Sequence, residues 1–126
     1  MKQLFSALIL GCGLAVTQAN AACDYPVAPG KFPDGNQASK DEMLTAKKSV
    51  VKYNTDMDAY LTCIRSEFDT KVAAMDKVTP EQKAEMEKVQ TQKQNAALEE
   101  VTAVTERFNE QLRAWKAKNV AEKKPS

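Results

Sequence analysis

The sequence predicts an all-α protein: a long antiparallel two-helix hairpin, coiled-coil-like, with a proline-containing N-terminal arm tied to the first helix by a disulfide. Three observations predict it. Two long stretches repeat apolar residues at three- and four-residue steps, which places them on one face of a helix. Each of those stretches opens on a capping signature. Glycines number only four and aromatics make up 6% of the chain, a composition that disfavours a sheet sandwich.

Residues 1–21 carry one charge, Lys2, then an apolar run from Leu4 to Val16 and a small-x-small ending, Ala19-Asn20-Ala21. That is the pattern of a secretory signal peptide cleaved after about Ala21. The apolar run stops at Thr17-Gln18, short of the roughly 20 residues that a membrane-spanning helix needs, so no transmembrane span is expected in the mature protein. Ile9-Leu10-Gly11-Cys12 offers an alternative, a loose lipobox in which Cys12 is acylated, but it would leave Gly13 to Ala22 as an apolar linker. The expected location is therefore periplasmic or secreted.

Removing residues 1–21 leaves 105 residues, and Lys2 is the only charge lost, so 17 basic residues remain against 17 acidic. A neutral chain of this kind does not suit general nucleic-acid binding, which calls for a basic excess. One domain is expected at this length.

The extended arm covers residues 22–38. Pro26, Pro29 and Pro33 hold Tyr25, Ala28 and Phe32 near extended conformations. Asp34-Gly35 supplies a turn at which glycine could take a positive φ. Cys23 and Cys63 remain after cleavage, and an isolated pair in an oxidising compartment reads as one structural disulfide. A metal pair or redox dithiol is the alternative, but the spacing is far from C-x-x-C and the chain has no histidine. Sixteen or so extended residues span about 50 Å, against about 35 Å of helix from Ser39 to Cys63. The arm can therefore double back along helix 1, laying Tyr25, Val27 and Phe32 on its stripe.

Helix 1, about 39–77, begins with Ser39 and Glu42 as a capping box. Met43, Ala46, Val50, Tyr53, Met57, Tyr60 or Leu61, Ile64 and Phe68 form its apolar face, and Val72 and Met75 prolong it. Arg65 with Asp69 and Glu67 with Lys71 are surface pairs four apart. Thr79-Pro80-Glu81-Gln82 starts helix 2, about 80–118, with proline at the first helical position and Thr79 and Gln82 as caps. Its stripe runs Met86, Val89, Ala97, Val101, Val104, Phe108, Leu112 and Trp115, interrupted by a polar stretch from Gln90 to Asn95. A connection of two or three residues implies antiparallel neighbours, with Ala97 to Trp115 opposite Met43 to Leu61 at the end the arm covers. Residues 119–126 form a polar tail expected to fray.

Cys23 with Pro26, Phe32-Pro33-Asp34-Gly35, Glu42-Met43, Tyr53 and Tyr60-Leu61-Thr62-Cys63 resembles a group of small uncharacterised secreted proteins of proteobacteria with a C-x-x-P…PDG…EM…Y…YL-x-C pattern. The likeness covers about the first 45 residues after the signal peptide. It implies a periplasmic helical protein with a structural cystine and no activity to carry over.

No catalytic, cofactor or metal residues are expected. Without histidine the chain lacks the commonest general base and the usual zinc ligand, and it has neither a glycine-rich phosphate loop nor a calcium loop. Asp56 with Asp58, and Glu99 with Glu100, are acidic pairs whose members diverge on a helix and read as solvated faces. The expected function is a non-enzymatic interaction or scaffold module of the cell envelope, partnered by another envelope protein or by itself. The less covered turn end, around Phe68, Val72, Met75 and Met86, is the candidate partner surface. The alternative is binding to anionic envelope surfaces through Arg113, Lys116, Lys118, Lys123 and Lys124.

Overall fold

The computed structural model describes residues 23–123. The signal peptide, the Cys12 alternative and Lys124 lie outside the described residues. Two helices, α1 (Lys40–Ala73) and α2 (Pro80–Glu122), form an antiparallel hairpin, with the arm laid along one of its faces.

Both helix starts follow from their caps. The Ser39 hydroxyl accepts from the Glu42 amide at 3.2 Å, and the Glu42 carboxylate accepts from the Ser39 amide at 2.7 Å. Thr79 and Gln82 repeat the arrangement at α2, with Pro80 in the first turn where its missing N–H costs nothing. Two orphan donors are satisfied at each start.

The helix ends differ from expectation. α1 stops at Ala73 rather than 77, and the connection is the six residues 74–79. Thr79 precedes a proline, which disfavours helical backbone there, and its ψ of 154° is extended. Asp76 and Val78 are weak helix formers, so the chain leaves the helix early to make room for the reversal. α2 runs to Glu122 rather than 118, through part of the expected tail. The Asn119 side chain donates to the Trp115 carbonyl at 2.7 Å, and Ala121 and Glu122 favour helix, so polarity alone does not end it. The surface pairs Arg65–Asp69 and Glu67–Lys71 are not among the ion pairs formed; Lys52–Asp56, Lys83–Glu87 and Glu85–Lys88 are. All three formed pairs are exposed, and such pairs gain only a few tenths of a kcal/mol, about as little as the unformed ones would, so burial does not decide which of them closes.

The core lies at the end away from the turn. Met43, Ala46, Val50, Tyr53 and Met57 from α1 meet Ala97, Val104 and Phe108 from α2, with Ala38 closing the bottom. Phe32 seals the groove between the helices, edge-on to Phe108 with ring centroids 5.6 Å apart. Tyr25 meets Tyr60 in the same way at 4.9 Å. Val27 departs from expectation: it is 93% exposed, and Ala28 packs on the core instead. In an extended arm alternate side chains point to opposite sides, and inward Pro26 and Ala28 force Val27 outward.

Gly35 also corrects a sequence expectation. No described glycine has a positive φ; the turn closes through the amides of Gln37 and Ala38 donating to the Asp34 carbonyl, and through Asn36 donating to the Asp34 carboxylate. Glycine is needed for another reason. A Cβ there would run into the Gln111 carbonyl and the Trp115 amide of α2.

Candidate functional site

The arm-covered end gathers most of the chain's special contacts. Cys23 and Cys63 are joined, with Cα atoms 5.7 Å apart, so the strap is fastened beside Tyr60. From there the Tyr25 hydroxyl donates to the Glu100 carboxylate at 2.6 Å across to α2. Burial, and then the hydrogen bond to Glu100, push the Tyr25 pKa well up. The Tyr53 hydroxyl is buried nearby without a completed hydrogen bond, and burial followed by the Glu100 charge raises its pKa too. Further down, the Gly35 amide donates to the Gln111 side chain at 2.9 Å. The arm is therefore attached at three levels to both helices.

This arrangement assigns roles that the sequence left unread. Glu100 is half-buried and holds a phenol, whereas Glu99 is exposed, so the expectation of a solvated pair holds for one member only. Asp56 pairs with Lys52 on the arm side, and Asp58 lies two residues on at a diverging position. The acidic residues do not converge. A pattern search would find Glu100 and Gln111 only by asking which polar residues flank the apolar stripe on one side.

Two grooves border the arm. One of about 920 Å³ lies between the arm and α1, with Val27, Phe32, Thr45, Ser49 and Tyr53 among its walls. It is open and mixed in charge, with Asp41, Glu42 and Asp56 facing Lys31 and Lys52. The other is basic: Lys116, Lys118 and Lys123 converge with Lys40 around Trp115 and Asn119, where the end of α2 meets the start of α1. Lys40 joins that cluster only through the antiparallel register, and Arg113 does not line it. At the opposite end, Ile64, Phe68, Met86 and Val89 border a smaller gap of about 230 Å³ between the helices near the turn, while Met75 is exposed.

Cys23, Cys63 and Glu67 bring two sulfurs and a carboxylate oxygen within 4.8 Å of one another. Joined as cystine, the sulfurs carry no thiolate with which to hold a cation. Among the described residues no helix is long and apolar enough to cross a membrane. Comparisons with protein-family models, curated proteins and solved structures find no match to this chain.

Proposed function

We propose that this chain is a non-enzymatic interaction or scaffold module of the cell envelope, exported by its N-terminal signal and resembling the small secreted proteobacterial proteins with the same cysteine and PDG pattern. One observation carries the reading. The contacts that the arm makes, through the cystine, Tyr25, Phe32 and the Gly35 amide, fasten a strap onto a hairpin; they do not converge on a reacting atom. A helical layer made rigid in this way presents a surface to a partner at low ordering cost.

In vivo cross-linking of the envelope, followed by purification of the oxidised chain, tests it. A discrete cross-linked species, either with itself or with one envelope protein, is the expected result. Monomer alone under mild cross-linking would count against the reading.

The basic groove favours a second reading, contact with an anionic envelope surface. Lys40, Lys116, Lys118 and Lys123 are brought together from the start of α1 and the end of α2. Binding of this kind to vesicles containing anionic lipid weakens steeply with salt. Substituting these four lysines with glutamine should abolish it while leaving helicity intact. Binding that is indifferent to salt and to these changes would refute the reading.

A further inference from the structure

The α1–α2 layer has two faces, and the arm covers one of them. On the opposite face Leu44, Val51 and Leu98 are 45%, 55% and 53% exposed, and Leu61, Val101 and Leu112 are half-buried. The edge of α2 on that side is also free of charge. From Thr91 to Leu112 helical periodicity puts Gln94, Leu98, Val101, Thr105 and Asn109 there, and directs Lys93, Glu99, Glu100, Glu106, Arg107 and Glu110 to other sides. Over about 30 Å of helix no charge faces solvent along this edge, in a chain that is 28% charged.

The pattern is also self-complementary. In a twofold contact, residue i of one copy meets j of the other, and j meets i. On the α1 edge Leu44 and Leu61, Lys47 and Asp58, and Val51 and Asn54 are equally distant from the midpoint between Lys52 and Tyr53. On α2 Leu98 and Leu112, and Val101 and Asn109, are equally distant from Thr105. The two midpoints lie near one another along the hairpin. Tyr25 bridges Tyr60 to Glu100, and Lys40 shares a groove with Asn119. That register places the α1 midpoint opposite Thr105 to within about half a turn.

We infer that a second copy of this chain covers this face, its helices antiparallel to those of the first, about a twofold axis that crosses both helices at the level of Thr105. The product is a four-helix bundle with an arm on each outer side. Leu44 then meets Leu61 and Leu98 meets Leu112, Val51 and Val101 lie against the uncharged Asn54 and Asn109, and Lys47 of each copy faces Asp58 of the other. The patch is about 26 Å long and two helices wide, on the order of 500 Å² per copy, which totals about the minimum for a specific interface. An area at that minimum suits a weak, reversible association. The inference rests on the interaction-module reading and names its partner.

Sedimentation equilibrium of the full disulfide-bonded chain, from about 1 to 500 µM, should show monomer and dimer in exchange. Leu98→Glu should weaken association about a hundredfold or more, because both copies carry the change, while helicity and melting at low concentration stay as they were. Lys47→Glu and Asp58→Lys should each weaken it, and mixing the two variants should restore a dimer, since both contacts between positions 47 and 58 then join an acid to a base. Thr105→Cys should link two copies through a short bifunctional maleimide; Arg107→Cys, on the arm side, should not. A chain that stays monomeric, or a dimer indifferent to Leu98→Glu and to the charge exchange, overturns the inference. A monomer that binds a different envelope protein through a Leu98-dependent contact overturns it while leaving the interaction reading standing; a monomer that binds nothing removes both.

Discussion

Gly35 and Gly30 sit five residues apart in the same arm and should respond oppositely to alanine. A Cβ at Gly35 meets α2 backbone, which cannot step aside as a flexible side chain would, so Gly35→Ala should cost about 2 kcal/mol or more by pushing the arm off its seat. At Gly30 nothing lies within 4 Å and φ is ordinary, so Gly30→Ala should be neutral or stabilise by about 0.5 kcal/mol through the unfolded chain. Thermal unfolding followed by circular dichroism reads both, and equal effects would show that the arm is not closely seated. Tyr25 adds a pH dependence. Its pKa is raised above the ordinary 10.0 by burial and then by the Glu100 carboxylate, so the folded state favours the neutral phenol. That contribution is complete below pH about 10 and is lost as pH climbs toward the folded value. The melting temperature should therefore fall in the alkaline range more steeply for the native chain than for Tyr25→Phe, with a parallel delay in phenolate absorbance.

Among the elements, the two helices were legible and the seating of the arm was not. Capping boxes are local, three residues across, and the stripes of α1 and α2 follow from a fixed period, so Ser39, Thr79, Met57 and Phe108 could be placed without knowing what they touch. The contacts of Tyr25 with Glu100 and of Gly35 with Gln111 join residues 75 and 76 apart, and depend on which groove the arm enters. Periodicity does not encode that choice. Nor did it mark where α1 yields to the reversal before Pro80, since the apolar stripe continues to Met75 after the helix has ended. The arm itself depends on its fastening. The cystine closes a loop with sequence separation 40, so reduction, or Cys23→Ser with Cys63→Ser, should cost about 4 kcal/mol on the chain-entropy model. Urea unfolding of oxidised and reduced protein would measure it, and a difference below about 1 kcal/mol would mean that the arm holds on by its own contacts.

Across the whole molecule stability is unevenly distributed. At the arm-covered end three layers bury Tyr53, Met57, Ala97 and Val104 almost completely, whereas toward the turn only two helices meet and Ile64 is the one fully buried apolar residue among the described positions beyond Leu61 and before Gln94. Gln90 leaves its side-chain nitrogen unpaired in that region, and Val89 and Met75 stay exposed. Segments with few buried contacts open locally at lower free energy than the unit that carries the core. Native-state hydrogen exchange should therefore separate two classes of amide. Those of residues 43–61 and 97–115 should exchange only with global unfolding, and those of residues 65–73 and 80–93 through smaller openings that urea hardly affects. Reduction supplies the decisive comparison. Once the arm is free, Phe32 and Ala28 leave the groove, the protected end becomes a bare two-helix contact, and its exchange should rise toward that of the turn end. If the two ends instead exchange alike in oxidised protein, the hairpin is a uniform coiled coil and the arm is an ornament to it. If they differ but reduction changes neither, the packing of α1 on α2 alone sets the gradient.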